Sequence, residues 1–147
     1  MLKENERLDD LQLKNLFIIQ SREKYCFTSD AVLLSDFCNV KKDEVVIDFG
    51  TGSGIIAVLL TAKTEAKFIY GVEIQPDLCD MAKRSVSYNK LEKKMEILNL
   101  DIKDLYKHFK SQADVIVCNP PYFKSSENLK NKNPAIAKAR HEHIERT

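Results

Sequence analysis

VVIDFGTGSG, residues 45–54, is the stretch that decides the fold of this chain. It begins with an apolar run without polar alternation, which is typical of a strand buried on both faces of a parallel sheet. The three glycines that follow allow a sharp turn and a close backbone approach to a ligand. GIIAVLLTAK (54–63) is then apolar nearly all round and predicts a buried helix. The stretch therefore predicts a strand, a glycine turn and a helix.

The alternation of strand and helix continues along the chain. Apolar runs at KFIYGVEI (67–74), MEILNLD (95–101) and DVIVC (114–118) predict three further strands, and Pro76 suits the first turn of a helix. TSDAVLLSDF (28–37) has helix-start residues followed by apolar positions, which predicts a helix before the first of these strands. Right-handed βαβ units of this kind give an α/β fold with a doubly wound, mostly parallel sheet.

The two ends of the chain differ from this pattern. Residues 1–15 are polar and are expected to be helical or irregular, whereas LFIIQ (16–20) and KYCF (24–27) flank a polar turn and predict a hairpin. From 124 to 140 the chain has five basic residues and one acidic residue, which fits a solvated linker and a nucleic-acid contact equally well. We therefore divide the chain into three parts: an N-terminal extension with a hairpin (1–27), a ligand-binding core (28–123) and a polar basic tail expected to be disordered (124–147).

Composition excludes several classes of protein. The chain has 147 residues, 44% of them apolar and 31% charged, which is ordinary for one globular domain. A net charge of +1 gives no field that would indicate nucleic-acid or membrane binding. No apolar run approaches the ~20 residues of a membrane span, and the polar N-terminus is not a signal peptide. We expect a cytoplasmic protein without membrane contact.

Cysteine and histidine do not predict a metal site. The four cysteines are far apart in the sequence, which indicates reduced, buried thiols and argues against a disulfide framework or a zinc knuckle. His141 and His143 form an H-x-H pair, but no third ligand is evident, so we assign the pair to a solvated tail.

Acidic residues stand at the ends of three successive predicted strands. Asp48 precedes the glycine turn, where a carboxylate fits poorly beside a pyrophosphate but well beside a cationic ligand; the dinucleotide fingerprint also fails, at Ile55. Glu73 can accept hydrogen bonds from ribose hydroxyls, and Asp101 can accept one from an adenine amino group. Taken singly, Glu73 would be a surface residue and Asp101 a turn cap. Together they outline a pocket for adenosine and a cation, which S-adenosylmethionine (SAM) combines.

Asn119-Pro120-Pro121-Tyr122 follows the fourth strand. An amino group on an aromatic ring or a carbonyl is planar and a poor nucleophile, because its lone pair is delocalised. The Asn119 side-chain oxygen and the Pro120 carbonyl could grip its two N–H groups, since the prolines fix φ and keep the carbonyl aimed. Tyr122 could stack on a planar substrate, worth ~1–3 kcal/mol for a base. The alternative is a proline-rich strand exit, but the motif favours transfer to an amino group, with catalysis mostly by positioning.

The motifs DFGTGSG, VEIQPD, LD and NPPY, in this order and spacing, resemble class I SAM-dependent methyltransferases that act on amino groups. Further segments resemble the tRNA (valine) adenine-N6 methyltransferase family over about residues 5–145: ERLDDL, FIIQ, FTSDAVLLSDF, GVEIQ, MAKRSVSYN and ARHE. The resemblance implies a Rossmann-like fold, SAM as cofactor and RNA as substrate, namely tRNA near its anticodon.

The resemblance also implies roles for individual residues. The methionine part of SAM would lie at Asp48 and the glycines, the ribose at Glu73 and the adenine at Asp101, with the FTSD segment capping a helix that faces the SAM carboxylate. An ordinary N-cap would use the same FTSD residues. The cofactor residues are Thr28, Asp30, Asp48, Gly50, Gly52, Gly54, Glu73 and Asp101. The catalytic residues are Asn119, Pro120 and Tyr122, and the residues in contact with the target base are Pro121, Tyr122 and Phe123.

The chain departs from the class at its C-terminal side. The class has seven strands in the order 3-2-1-4-5-7-6, and we identify four here, since the tail lacks further apolar runs. We expect a fragment that binds SAM but methylates poorly, with strand four as an exposed edge through which a homodimer could form. Two alternative functions stay open: an N5-glutamine methyltransferase of a peptide release factor, and a SAM-binding fragment without activity.

Overall fold

The computed structural model describes residues 2–22, 29–109 and 113–119 of the protein, together with the backbone of 144–146. Two strands come first, and helices and strands then alternate. The elements are β1 (Glu6–Asp10), β2 (Phe17–Ser21), α1 (Ser29–Phe37), β3 (Val45–Phe49), α2 (Ile55–Lys63), β4 (Phe68–Val72), α3 (Pro76–Tyr88), β5 (Met95–Leu98), a 3₁₀ turn (Ile102–Asp104), α4 (Leu105–His108), β6 (Val115–Cys118) and β7 (Ile144–Arg146).

The central sheet has the strand order β5-β4-β3-β6-β7. β3 pairs in parallel with both β4 and β6, and β4 pairs in parallel with β5. After β3 the chain builds the sheet in one direction through β5 and then returns to place β6 on the other side of β3. This is the doubly wound arrangement predicted from the sequence, and its first four strands follow the 3-2-1-4 part of the expected order.

The edge of β6 differs from the expectation. The sequence predicted that the strand at 114–118 would be an open edge, but β7 pairs antiparallel with it, so that Ile116 lies opposite Glu145. A strand of three residues with a single apolar member has no hydrophobic pattern to detect. The prediction of an exposed edge at this strand is therefore wrong.

The N-terminal hairpin also differs from the expectation. Its partner strands are β1 and β2, so residues 6–10 form a strand where the sequence predicted helix or irregular chain; the predicted strand at 24–27 lies outside the described residues. The sequence analysis missed β1 because four of its five residues are charged, so it shows no apolar pattern. Glu6 accepts two hydrogen bonds of 2.7 Å from Arg84 of α3, while Leu8 packs in a small cluster with Ile19 and α3.

The main core lies between the sheet and the helices. α2 is buried at every position from Ile55 to Leu60, as its uniformly apolar sequence predicts. It packs in one cluster with Ile18 of the hairpin, Ala31 of α1, and Val46 and Ile69 of the sheet. Among the described residues, no helix has the length and hydropathy needed to cross a membrane.

Gly71 of β4 makes room for the glycine turn. A Cβ built on Gly71 would lie 2.8 Å from Thr51 Oγ1, 3.0 Å from Thr51 Cγ2 and 2.7 Å from Ile97 Cδ1. The Ile97 methyl is the end of a flexible side chain and can rotate away. Thr51 cannot, because its hydroxyl donates a 2.7 Å hydrogen bond to Asp48.

We predict that Gly71→Ala lowers the free energy of unfolding by about 1–3 kcal/mol, since overpacking exceeds the ~0.5–1 kcal/mol that alanine gains over glycine in a strand. Urea unfolding of the unliganded chain measures it. In a Thr51→Ala background most of this cost should disappear. An equal cost in both backgrounds would mean that Thr51 is not the obstacle.

Candidate functional site

The carboxyl ends of the four parallel strands meet at one edge of the sheet. Phe49 lies opposite both Val72 and Cys118, and Val72 lies opposite Leu98. The residues that follow these positions therefore stand level with one another: Gly50, Glu73, Asn99 and Asn119. Polar residues that are far apart in the sequence are thus brought to one place, which is where open α/β sheets bind ligands.

The glycine turn between β3 and α2 is held against β4. Its three glycines have φ values of +64°, +60° and +91°, a region that side chains rarely adopt. The Thr51 N–H donates to the Val72 carbonyl at 2.9 Å, which ties the turn to the neighbouring strand. A Cβ built on Gly50 or Gly52 would meet nothing within 4 Å. The backbone of the turn therefore borders open space that a ligand can approach closely.

Asp48 lies beneath this turn and is almost fully buried, with 1% of its surface exposed. Its Oδ2 accepts the hydrogen bond from Thr51 Oγ1. Burial raises the pKa of Asp48 from 3.8 to about 7; the Thr51 hydrogen bond lowers it, repulsion from Glu73 raises it further, and the Ala57 backbone N–H lowers it. Asp48 thus anchors the turn and is the group whose charge a nearby cation would stabilise.

Glu73 joins the glycine turn to the turn after β4. Its Oε1 accepts from the Gly52 N–H and its Oε2 from the Gln75 N–H, both at 2.9 Å. Glu73 as a whole is 6% exposed, so the alternative of an ordinary surface residue is wrong. Two backbone donors from two different turns fix its orientation. Each oxygen retains a further lone pair, as a carboxylate needs in order to accept hydrogen bonds from a diol.

Asn99 supports Glu73 and was missed by the sequence analysis. Its amide Nδ2 donates to the carbonyls of Glu73 and Ile74, at 2.9 and 3.1 Å. Its side chain therefore holds the backbone of the β4–α3 turn to the end of β5. The one signal in the sequence was its position in the LNLD run, where an amide interrupts a predicted apolar strand. Thr51 was missed in the same way, inside a motif read only for its glycines.

Asp101 lies beyond β5 and is partly exposed. Its Oδ1 accepts from the Lys103 N–H at 3.1 Å, which makes it the cap of the 3₁₀ turn that follows, and its Oδ2 lies 3.7 Å from Lys103 Nζ. The capping role weighed as an alternative is therefore present, and it leaves the carboxylate partly accessible. Ile74 and Ile102, next in sequence to Glu73 and Asp101, are 59% and 49% exposed.

The remaining predicted residues are placed in part. Asn119 follows β6 and is half-buried, and Asp30 is exposed in the first turn of α1. Thr28 and the segment Pro120–Phe123 lie outside the described residues. No three His, Cys, Asp or Glu side chains of the described ranges come together as a metal site. The structure thus gathers Asp48, the three glycines, Glu73, Asp101 and Asn119 at one edge; their binding roles stay predictions.

The polar and charged groups at this edge of the sheet fit a cationic ligand better than an anionic one. An anionic pyrophosphate beside the turn would face the carboxylates of Asp48 and Glu73. A ligand with a positive charge and a vicinal diol would instead meet acceptors, and an aromatic base would find the apolar surfaces of Ile74 and Ile102. The residues present therefore fit a cationic nucleoside.

Solved structures share this fold. The tRNA m1G37 methyltransferase of M. jannaschii matches with a TM-score of 0.62 at 20% identity, over 83% of this chain and 37% of that one. TYW2 of M. jannaschii in complex with AdoMet matches with a TM-score of 0.64 at 19% identity, over 88% of this chain and 57% of that one. At these identities the likeness establishes the fold.

Sequence relatives carry the name that the motifs predicted. The tRNA1(Val) (adenine(37)-N6)-methyltransferase of Actinobacillus pleuropneumoniae is 26% identical over 129 residues, 87% of this chain and 54% of the relative. The enzyme of the same name from Yersinia enterocolitica is 32% identical over 111 residues, 75% of this chain and 44% of the relative. The resemblance is therefore confirmed, and the chain spans about half the length of the curated relatives it matches.

A family model covers the part of the chain that builds the site. It is described as ribosomal protein L11 methyltransferase (PrmA), and it matches residues 26–120, which include every strand end discussed above. Because this match takes in well over half of the sequence, the chain belongs to the ribosomal protein L11 methyltransferase (PrmA) family.

Proposed function

We propose that this chain is the cofactor-binding part of a methyltransferase that transfers a methyl group from SAM to the N6 amino group of an adenine in tRNA. The observation that carries the proposal is the Glu73 carboxylate, oriented by two backbone donors beside an open glycine turn. The names of the relatives supply the class of substrate.

The cofactor would be held by residues that already stand in position. Glu73 would accept the ribose hydroxyls, the Asp48 charge would favour the cationic amino-acid end, and Asp101 would accept the adenine amino group. The exposed Ile74 and Ile102 would cover faces of the adenine ring. SAM, when bound, supplies an electrophilic methyl group on its sulfonium. The protein's part is to bind it, orient it and exclude water.

The acceptor amino group would be held at the end of β6. Asn119 stands one residue beyond Cys118, which pairs with Phe49, so it is level with Gly50 at the mouth of the cofactor site. Its side-chain oxygen would accept one N–H of the target amino group, and the Pro120 carbonyl the other. The gain comes from positioning, which can supply several kcal/mol of a barrier. Stacking on Tyr122 would hold the base.

tRNA is the favoured substrate, and an adenine next to the anticodon is the favoured position. An adenine in a loop is splayed out at a lower cost than one in a duplex. A second candidate is methylation of a protein, because the matching family model is described by a ribosomal protein; N5 of glutamine in a release factor is the form that NPPY also fits. A homodimer and a cytoplasmic location remain predictions; a dimer through β6 would have to displace β7.

We predict that Asn119→Ala, made in the intact protein, lowers methyl transfer on the order of 100-fold or more while SAM affinity changes little, since one preorganised hydrogen-bonding group is lost. Nucleoside mass spectrometry of tRNA from cells with the gene deleted and restored measures the product. Titration with SAM measures binding.

The outcomes separate the candidates. Loss of N6-methyladenosine from tRNA in the deletion strain, restored by the wild-type gene and not by the Asn119→Ala gene, supports the proposal. An unchanged tRNA profile together with loss of methylation from a ribosomal protein or a release factor would move the assignment to a protein substrate.

A second prediction follows from the pKa of Asp48. SAM is a cation and favours ionised Asp48, so its affinity should rise as pH increases toward about 7, by up to roughly tenfold per pH unit, and level off above it. The unliganded chain should show the opposite trend. Its folded state holds the proton more tightly than the unfolded state, so stability is full below pH 3.8 and declines as pH rises to about 7.

The control is Asp48→Asn, which keeps the shape and can still accept from Thr51. Calorimetric titration with SAM and urea unfolding, each from pH 5 to pH 8, should give flatter profiles for this variant than for the wild type. Parallel profiles of the two proteins would show that another group titrates.

A further inference from the structure

Gln20 of β2 has a buried side-chain amide whose role the described contacts do not explain. It is 0% exposed, and neither its Oε1 nor its Nε2 has a hydrogen-bond partner among the residues that the structure describes. Leaving a buried amide unpaired lowers stability, because the amide has given up its hydrogen bonds to water without gaining others. An apolar side chain of the same length would avoid that cost, so the amide calls for a partner that the described residues do not supply.

Contacts along α3 indicate that Gln20 lies near the edge of the sheet where the carboxyl ends of the parallel strands meet. The Phe17 N–H donates to Asn89 Oδ1 and the Ile19 N–H to Ser85 Oγ, both at 2.9 Å. A step of two residues along β2 therefore corresponds to a step of four residues along α3, toward the N-terminus of that helix. Continued at the same rate, this path would bring Gln20 and Ser21 to the level of the turn of α3 that contains Ala82, and Ile19 already packs in one cluster with Met81 of that turn.

That turn of α3 packs against the glycine turn. A Cβ built on Gly54 would lie 3.4 Å from the Ala82 Cβ. Strand alternation puts Gln20 on the same face as Ile18, which belongs to the main core with α2, whereas Ile19 belongs to a separate cluster with α3. Gln20 thus shares a face of the hairpin with Ile18, toward the core that contains α2. Along the hairpin it lies at the level of the start of α2, where the glycine turn ends.

We propose that the Gln20 amide is a positioning contact for the amino-acid end of SAM, an inference that rests on the proposed function. An α-amino acid group carries one carboxylate and one ammonium, and an amide offers a donor for the first and an acceptor for the second. Glu73 and Asp101 suit the diol and the base, so the amino-acid end is left for the glycine turn and the residues around it. Because the amide is sealed from solvent in the unliganded chain, the contact includes a rearrangement around Gln20 as the ligand enters.

The test is Gln20→Met in the full chain, since methionine keeps the length and removes both polar atoms. The matched control is Gln12→Met, at an exposed glutamine of the same hairpin. Calorimetry with two probes, SAM and 5′-methylthioadenosine, separates the ends of the ligand, because the second lacks the amino-acid group. Gln20→Met should weaken SAM binding roughly tenfold or more, leave 5′-methylthioadenosine binding unchanged, and raise the urea midpoint of the unliganded chain. Gln12→Met should change none of the three.

Other results overturn the inference in distinguishable ways. Equal loss for both probes would mean that Gln20 supports the fold of the pocket and not the amino-acid end. A lower urea midpoint would mean that the amide already has a partner without ligand. Unchanged SAM affinity would exclude the contact. A wild-type chain that binds neither probe would overturn the proposed function itself.

Discussion

The Glu73 carboxylate is the interaction on which the ligand edge depends. It stands where β4 ends, and it accepts backbone N–H groups from the glycine turn on one side and from the start of α3 on the other. Two turns that are far apart in the sequence thereby share one acceptor. Without it, the N–H groups of Gly52 and Gln75 would need other partners, and the two turns would lose the one side chain that accepts a hydrogen bond from each of them among the described contacts. The Asn99 side chain donates a hydrogen bond to the Glu73 carbonyl and so connects the end of β4 to the end of β5 as well.

The same arrangement places two carboxyl groups close together in a part of the site that is shielded from solvent. Asp48 is sealed beneath the turn, and the charge of Glu73 adds to burial in raising its pKa. Two acids so placed destabilise each other in the unliganded chain, and a cation is the ligand that relieves both. The Gln20 amide would belong to the same pattern under the proposal above, because its polar atoms are buried without a hydrogen-bond partner among the described residues. A site built in this way trades stability of the empty protein for affinity.

Much of this fold could be predicted from the sequence, because long apolar segments carry periodicity. The strands at Val45–Phe49 and Phe68–Val72, and the helix at Ile55–Lys63, follow from apolar runs and glycine punctuation. β1 could not be predicted, since its contacts include an ion pair between Glu6 and Arg84, two residues that are 78 positions apart in the sequence. The acids of the site were identifiable from their places at strand ends. Thr51, Gly71 and Asn99 were not, because what they do depends on which turns the sheet brings together.

The division between cofactor and substrate follows from where the strands end. The acids and the glycine turn that would hold SAM follow β3, β4 and β5, on one side of the switch in strand order, whereas Asn119 stands on the other side, after β6. A planar amino group looks the same to Asn119 whether it belongs to an adenine or to a glutamine side chain, since both present two coplanar N–H groups. The choice between RNA and protein must therefore be made by surfaces that contact the rest of the substrate. The family model described by a ribosomal protein and the relatives named for tRNA agree with such a division.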